Sequence, residues 1–324
     1  MLIRLGPSRR SLAPFLAVFA LAISCARPIV RPTVNPATIP VEQLWIEPDI
    51  AARDLFYGPG GPSLTPKEEH PFTFVKLDAT GYSPGYDVRG PDGTTWSVKL
   101  GKEAQPEVAS SRLLWAIGYH QPPTYLLVKW NLTGEKSGLQ DVGRFRPDLK
   151  DETVADEWSF YENDFLETRE FRGLLVANLL LSNWDWRDSN NKIYETTQPQ
   201  SGKPARRYVV RDLGASFGKT TSPLPPFRGQ GTRNDLEGYE SQRLIKAVNG
   251  ERIEFDYHGR HKRLVETIEI GDVVWTCRLF AQLSDRQLDS AFRAAGFTDE
   301  MRQRYIAKLK SKIAEGLALS SSKS

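Results

Sequence analysis

The chain has 324 residues, 40% hydrophobic and 26% charged, a balance that builds one large or two modest cores and excludes a disordered polymer. Its formal charge of +3 comes wholly from Arg4, Arg9 and Arg10, the only charged groups before Cys25. The remainder is near neutral and carries no basic field of the size that nucleic acid requires.

In chain order, the three arginines precede a largely apolar run from Leu12 to Ile23, too short to span a bilayer comfortably, that ends in small residues before a cysteine. This predicts an export signal over residues 1–24, removed on processing. Ala22-Ile23-Ser24-Cys25 is similar to the lipobox of bacterial lipoproteins, with Leu21 one position early, which implies a lipidated Cys25 that holds the protein on a membrane at the periplasmic or outer-surface side of the envelope. Ser8-Arg9-Arg10-Ser11-Leu12 also resembles a twin-arginine signal, but paired arginines occur in any positive leader, and the export route stays open. Pro28, Pro32, Pro36 and Pro40 recur every fourth residue and predict an extended tether over residues 25–44. At about 3.1 Å per residue, residues 26–44 reach on the order of 60 Å. With Cys25 acylated, Cys277 has no disulfide partner and reads as a small buried hydrophobe.

Residues 45–150 read as strands with one helix. Phe72 to Leu77 alternates, Tyr86 to Val88 resumes after a glycine-bearing turn, and Thr94 to Leu100 follows the turn Gly90-Pro91-Asp92-Gly93, a three-stranded antiparallel meander. Glu103 to Tyr119 reads as a helix with Val108, Leu113, Leu114 and Ile117 on one face. Tyr125 to Trp130 and Asp141 to Phe145 read as two more strands. Residues 151–324 read as mainly helical, beginning with Tyr161 to Trp184, whose centre from Leu174 to Leu181 is apolar nearly all round and predicts burial on every side. Ile193-Tyr194 and Tyr208-Val209-Val210 read as short strands around a polar turn, and residues 219–234 as loop. Ser284 with Gln287 marks a capping box, and Thr298 caps a last helix through Tyr305, Ile306, Leu309 and Ile313.

Two separated segments, Asp185-Trp186-Arg187-Asp188-Ser189-Asn190 and Arg211-Asp212-Leu213-Gly214-Ala215-Ser216-Phe217-Gly218, supply a carboxylate, an amide and a second carboxylate. Together with Trp96-Ser97-Val98-Lys99 and Pro106-Glu107-Val108-Ala109 they occur in an order that resembles the atypical kinases, the group holding the phosphatidylinositol 3- and 4-kinases, HipA-like toxin kinases and secretory-pathway kinases. The resemblance spans roughly Phe72 to Gly218. It departs in two places: Trp186-Arg187 stands where the Asp-Arg-His-x-x-Asn loop has Arg-His, and Asp212 follows Asn190 by 22 positions, which requires an insertion.

The resemblance implies an α+β, two-lobed protein-kinase-like fold, with an N-lobe of antiparallel sheet and one helix and a mainly helical C-lobe. It implies ATP with Mg2+ or Mn2+ as cofactors and a hydroxyl-bearing acceptor. Phosphoryl transfer is mostly positioning and charge neutralisation, which is why these residue types recur. Lys99 would hold the nucleotide phosphates and Glu107 would fix that lysine by an ion pair. Asn190 and Asp212 would offer hard oxygen ligands to the metal, and Asp185 would orient the acceptor hydroxyl or take its proton. Gly81 and Gly85 would bring backbone amides to phosphate oxygens.

Each residue taken singly has a plainer account: Lys99 on the solvent face of a strand, Glu107 as a first-turn helix acid, Asp185, Asn190 and Asp212 as turn formers. Two other functions stay open at this stage. One is a pseudokinase, a binding or scaffold module on an envelope membrane, since ATP is scarce outside the cytoplasm. The other is a serine hydrolase, because Gly214-Ala215-Ser216-Phe217-Gly218 fits a Gly-x-Ser-x-Gly elbow with His258 or His261 as base. The proline-rich stretch after Lys219 disfavours the helix that an elbow needs. His258 and His261 have a spacing compatible with metal, but their glycine and basic neighbours read as solvated loop.

Overall fold

A computed structural model describes residues 29, 39–78, 83–197, 204–220 and 231–323. The export signal, Cys25, most of the tether, Gly81 and parts of the two polar loops lie outside the described residues. No helix among the described residues is long and apolar enough to cross a membrane.

The first half is built on β1 (Pro71–Asp78), β2 (Gly85–Arg89), β3 (Thr95–Leu100), α1 (Ala104–Ala116), β4 (Tyr125–Leu127), β5 (Trp130–Thr133), β6 (Gly138–Gln140) and β7 (Gly143–Pro147). The seven strands form one sheet in the order β4-β7-β3-β2-β1-β5-β6. All pairings are antiparallel except β1 with β5, which is parallel. The expected meander is β1–β3. The single strand expected over Tyr125–Trp130 divides into β4 and β5, which go to opposite sides of the sheet.

Period-two alternation gives the sheet two chemically different faces. One holds Phe72, Trp96, Val98, Trp130 and Phe145 in a closed aromatic core, with the Phe72 and Phe145 centroids 4.9 Å apart and Trp130 edge-on to Phe145 at 5.1 Å. The other carries Ser97 and Lys99 of β3 directly opposite Arg146 and Arg144 of β7. That second face lines the cleft described below.

Helix α1 was expected to bury one face, yet all of it except Gln105 and Trp115 is buried. Val108, Leu113 and Leu114 join the core of the second half rather than that of the sheet, because the helix lies between the two. Gln105 Nε2 donates to Gly296 O at 3.0 Å and Asn234 Nδ2 to Gln105 Oε1 at 3.1 Å, which pins the start of α1 to the second half.

The second half contains β8 (Glu152–Glu157), α2 (Arg169–Leu180), β9 (Lys192–Thr196), β10 (Arg206–Val209), α3 (Leu236–Glu240), β11 (Ile245–Asn249), β12 (Arg252–Phe255), α4 (Lys262–Val265), α5 (Ile270–Ala281), α6 (Asp285–Ala294) and α7 (Asp299–Ala318). Helix α2 starts eight residues later than the expected Tyr161. Thr168 caps it, accepting from Phe171 N at 3.1 Å, and the preceding residues are held as loop by Asp188, which accepts from Ser159 Oγ at 2.8 Å and Phe160 N at 3.1 Å. The centre of α2 is buried throughout, as expected. The insertion between Asn190 and Asp212 is the β9–β10 hairpin, widened to three strands by β8.

Helix α5 was not expected; its capping box is the carboxylate pair Glu269 and Asp272. The capping box at Ser284 and the cap at Thr298 form as read, Thr298 accepting from Met301 N. Cys277 lies buried on α5, its thiol pushed up to about 12 by burial. Gly316 of α7 abuts its sulfur so closely that a Cβ there would overlap Sγ. The whole is an α+β fold in two halves, a curled seven-stranded sheet with one helix followed by a mainly helical half.

Candidate functional site

The Asp185 loop leaves α2 through a polar chain in the core. Asn178 Nδ2 donates to Leu174 O at 2.9 Å, Asn183 Nδ2 donates to Asn178 Oδ1 at 2.9 Å, and Asp185 N reaches Asn183 Oδ1 at 3.4 Å. Ser182 turns the chain at φ 50°, and the buried Lys312 of α7 donates to its Oγ at 2.7 Å. Trp186 is buried among Phe160, Tyr257 and His261, and its Nε1 donates to Tyr257 OH. The loop is thus anchored before Asp185 by the Asn178–Asn183 chain and after it by the packing of Trp186 and the hydrogen bonds to Asp188.

Asp212 follows β10 in a left-handed conformation, φ 60° and ψ 52°, a strained geometry for a residue other than glycine and one that clusters at functional sites. Gly214 fits here because a Cβ would lie 2.6 Å from Glu103 Cβ and 3.1 Å from Glu103 O; the turn after Asp212 rests on the start of α1. Gly85 has a similar steric reason, since its Cβ would meet Val98 O at 2.6 Å. It faces Lys99 in register and lines the cleft. Gly81 lies outside the described residues.

These elements enclose a cleft of about 410 Å³ between the sheet and the helical half. Lys99, Glu107, Asp185, Asn190, Asp212 and Gly85 all line it, although 113 positions separate Lys99 from Asp212 in sequence. The Lys99 ammonium contacts Asp212 Oδ1 and lies 3.2 Å from Glu107 Oε2 and 3.6 Å from Glu103 Oε2. Glu107 is buried, with Arg144 Nε at 3.0 Å and Arg146 Nη1 at 3.9 Å from its Oε1. Burial alone would raise its pKa, but Arg144, Lys99 and Arg146 outweigh that and hold the carboxyl at about 2. Asp185 Oδ1 accepts from Arg187 Nε at 2.9 Å and from Arg260 Nε at 2.7 Å, and Arg187 is held above its ordinary pKa first by that hydrogen bond.

No group of three His, Cys, Asp or Glu side chains among the described residues is placed to hold a metal. Asp212, with its side chain 40% exposed and facing an ammonium, and Asn190 give one carboxylate and one amide on the same cleft wall. That donor set fits a hard cation that arrives with phosphate oxygens and keeps part of its water shell.

The hydrolase elbow does not form. Ser216 is fully buried, its Oγ has no hydrogen-bond partner, and the residues after it turn rather than enter a helix. His261 Nε2 contacts Trp186 O instead, and His258 lies 4.0 Å from Asp256.

Sequence reasoning missed part of the site. Glu103 was read only as the first residue of a helix; it contacts Lys99, accepts from Ser83 Oγ at 2.7 Å and pairs with Arg233. Arg144, Arg146, Lys192 and Arg211 also line the cleft. The signal available for two of them was the spacing of Arg144-Phe145-Arg146, which puts both guanidiniums on one strand face, but only the pairing of β7 with β3 shows that the face is that of Lys99.

No family model matches the sequence, and no curated protein matches it. Among solved structures, the crystal structure of a Helicobacter pylori proinflammatory kinase, CtkA, is similar to this chain at 11% sequence identity and a TM-score of 0.42, with 78% of this chain and 96% of that one covered.

Proposed function

We propose that this protein is a phosphotransferase that binds a nucleoside triphosphate with Mg2+ or Mn2+ in the cleft and transfers the γ-phosphoryl group to a hydroxyl acceptor. The supporting observation is the convergence of Lys99, Glu107, Asp185, Asn190 and Asp212 on one cavity. In this reading Lys99 neutralises donor phosphates and is kept in place by Glu107, whose low pKa keeps it ionised at any physiological pH. Asp212 and Asn190 would hold the cation, which would supply neutralisation of the donor's phosphate charge. Asp185, fixed by Arg187 and Arg260, presents its carboxylate to the acceptor hydroxyl and orients it or takes its proton.

Nucleotide with Mg2+ raises the melting temperature of the purified domain, and absence of any shift at millimolar ATP removes this function. Transfer of labelled γ-phosphate, lost in Asp212→Ala, identifies an enzyme. The contact of Lys99 with Asp212 favours one second reading, a pseudokinase in which the lysine keeps the metal carboxylate to itself; there the shift persists and transfer is absent in the unaltered protein.

Export and anchoring belong to the same proposal: residues 1–24 as a cleaved signal, 25–44 as a tether, and a lipid on Cys25 that holds the N-lobe (45–150) and C-lobe (151–324) at an envelope membrane. Cys25→Ser releases the protein into the soluble fraction, and unchanged fractionation refutes the anchor.

A further inference from the structure

Beyond Lys99, at the end of the cleft under β7, two guanidiniums meet without a carboxylate of their own. Arg146, its side chain 14% exposed, lies at the 3.9 Å limit of an ion pair with Glu107, a carboxylate it shares with Lys99 and Arg144. Arg211 donates Nη1 to Tyr194 OH at 3.0 Å, and its Nε is buried with no partner. Lys192, on the same wall, is already paired with Glu157. Both arginines also line an adjoining cavity of about 440 Å³ whose wall includes Pro147, Leu149 and Tyr194, so they stand at the junction of two open volumes. The acids of that second cavity do not answer them: Asp87 pairs with Lys76 at 3.2 Å, Glu152 with Arg207 at 2.6 Å, and Asp148 is exposed. Nor do the segments outside the described residues, none of which contains an aspartate or glutamate.

Burying a cation without a counter-charge is costly, and a protein that does so at a cavity wall is complementary to an anion from outside. The mutual repulsion is felt in Arg146, which burial, then Arg144 and Arg211, bring down to about 9. Guanidiniums rather than ammoniums suit a tetrahedral or planar oxyanion, which they grip through paired N–H groups. The cleft itself offers little to a flat apolar ring, since Val98 is the one apolar side chain among the described residues that line it.

We propose that Arg146 and Arg211 form an anion subsite that takes a phosphate group of the donor on the far side of Lys99, so that the cleft grips its donor through the polyphosphate chain. This rests on the phosphoryl-donor reading of the cleft and names what that reading leaves open, the part of the donor that is recognised. Removing these guanidiniums relieves their repulsion and leaves Glu107 its closer partners, Lys99 and Arg144, so the variants fold.

The test is calorimetric titration of the purified protein, in Mg2+, with inorganic tripolyphosphate, ATP and adenosine. Tripolyphosphate binds within about tenfold of ATP and adenosine does not bind. Arg146→Gln with Arg211→Gln weakens tripolyphosphate at least tenfold, while the ligand-free melting temperature does not fall; Arg146→Lys, which keeps the charge and loses the fork, lies between. Tripolyphosphate that binds the double variant as well as the unaltered protein, or fails to bind a protein that binds ATP, overturns the subsite and leaves the donor reading standing. Failure of ATP and tripolyphosphate alike overturns both.

Discussion

Replacing Glu107 by glutamine removes one negative charge from the centre of three cations. The carboxylate is 3% exposed and faces Lys99 at 3.2 Å, Arg144 at 3.0 Å and Arg146 at 3.9 Å. Its pKa falls from 4.5 to about 2 against the upward push of burial, which corresponds to about 3 kcal/mol of favourable interaction with the ionised form. Because the folded value lies below the unfolded one, this contribution is present in full above about pH 4.5 and is lost as pH drops through about 2. At pH 7 Glu107→Gln forfeits it and leaves three cations facing each other, so unfolding in urea, followed by tryptophan fluorescence, shows a loss of about 3–5 kcal/mol. For a chain of this size the melting temperature drops on the order of 6–12 °C. Adding Arg146→Gln returns part of that loss, giving a combined effect smaller than the sum of the two. A loss under about 1 kcal/mol, or strict additivity, refutes the view that one carboxylate holds the sheet cations in place.

Lys312 is buried, 4.4 Å above the Tyr239 ring, and desolvation, reinforced by Lys308 and opposed by Glu315 and Asp256, lowers its pKa to about 7. The unfolded chain therefore binds the extra proton between pH 7 and 10.5, stability rises with pH across that window by up to about 5 kcal/mol, and Lys312→Met abolishes the rise; an unchanged slope in urea midpoints contradicts this. Gly316→Ala forces a methyl group into Cys277 Sγ and costs about 1–3 kcal/mol, of which Cys277→Ala in the same chain restores a measurable part. A fluorophosphonate probe leaves Ser216 unlabelled in the native protein, as its buried Oγ requires; stoichiometric labelling overturns that expectation.

How much of this was legible depended on how local each signal is. The turns around Gly90-Pro91-Asp92-Gly93 and the alternation of Phe72 to Leu77 fix β1–β3 within a few residues, and Ser284 with Gln287 fixes the start of α6. The start of α2 was misplaced because Tyr161 and Phe165 supply apolar periodicity while the loop holding them is set by Asp188, 20 or more residues away. Helix α5 opens on two carboxylates instead of the serine or threonine that usually marks a cap. Lys99, Glu107, Asp185, Asn190 and Asp212 were legible through short motifs in a recognisable order. Arg146 and Arg211 were not, because their chemistry lies in facing the same space, and that is fixed by the β3–β7 and β9–β10 pairings rather than by neighbours in sequence.

Helix α1 is rooted in the larger core, whereas the side chains that meet Glu107 ride on β3 and β7. Swinging the sheet away from the helical body would tear three charge contacts from a single desolvated oxygen pair at once, a barrier that thermal hinge motion crosses rarely. Any hinge between the two halves therefore carries an electrostatic cost that is concentrated at one side chain, Glu107.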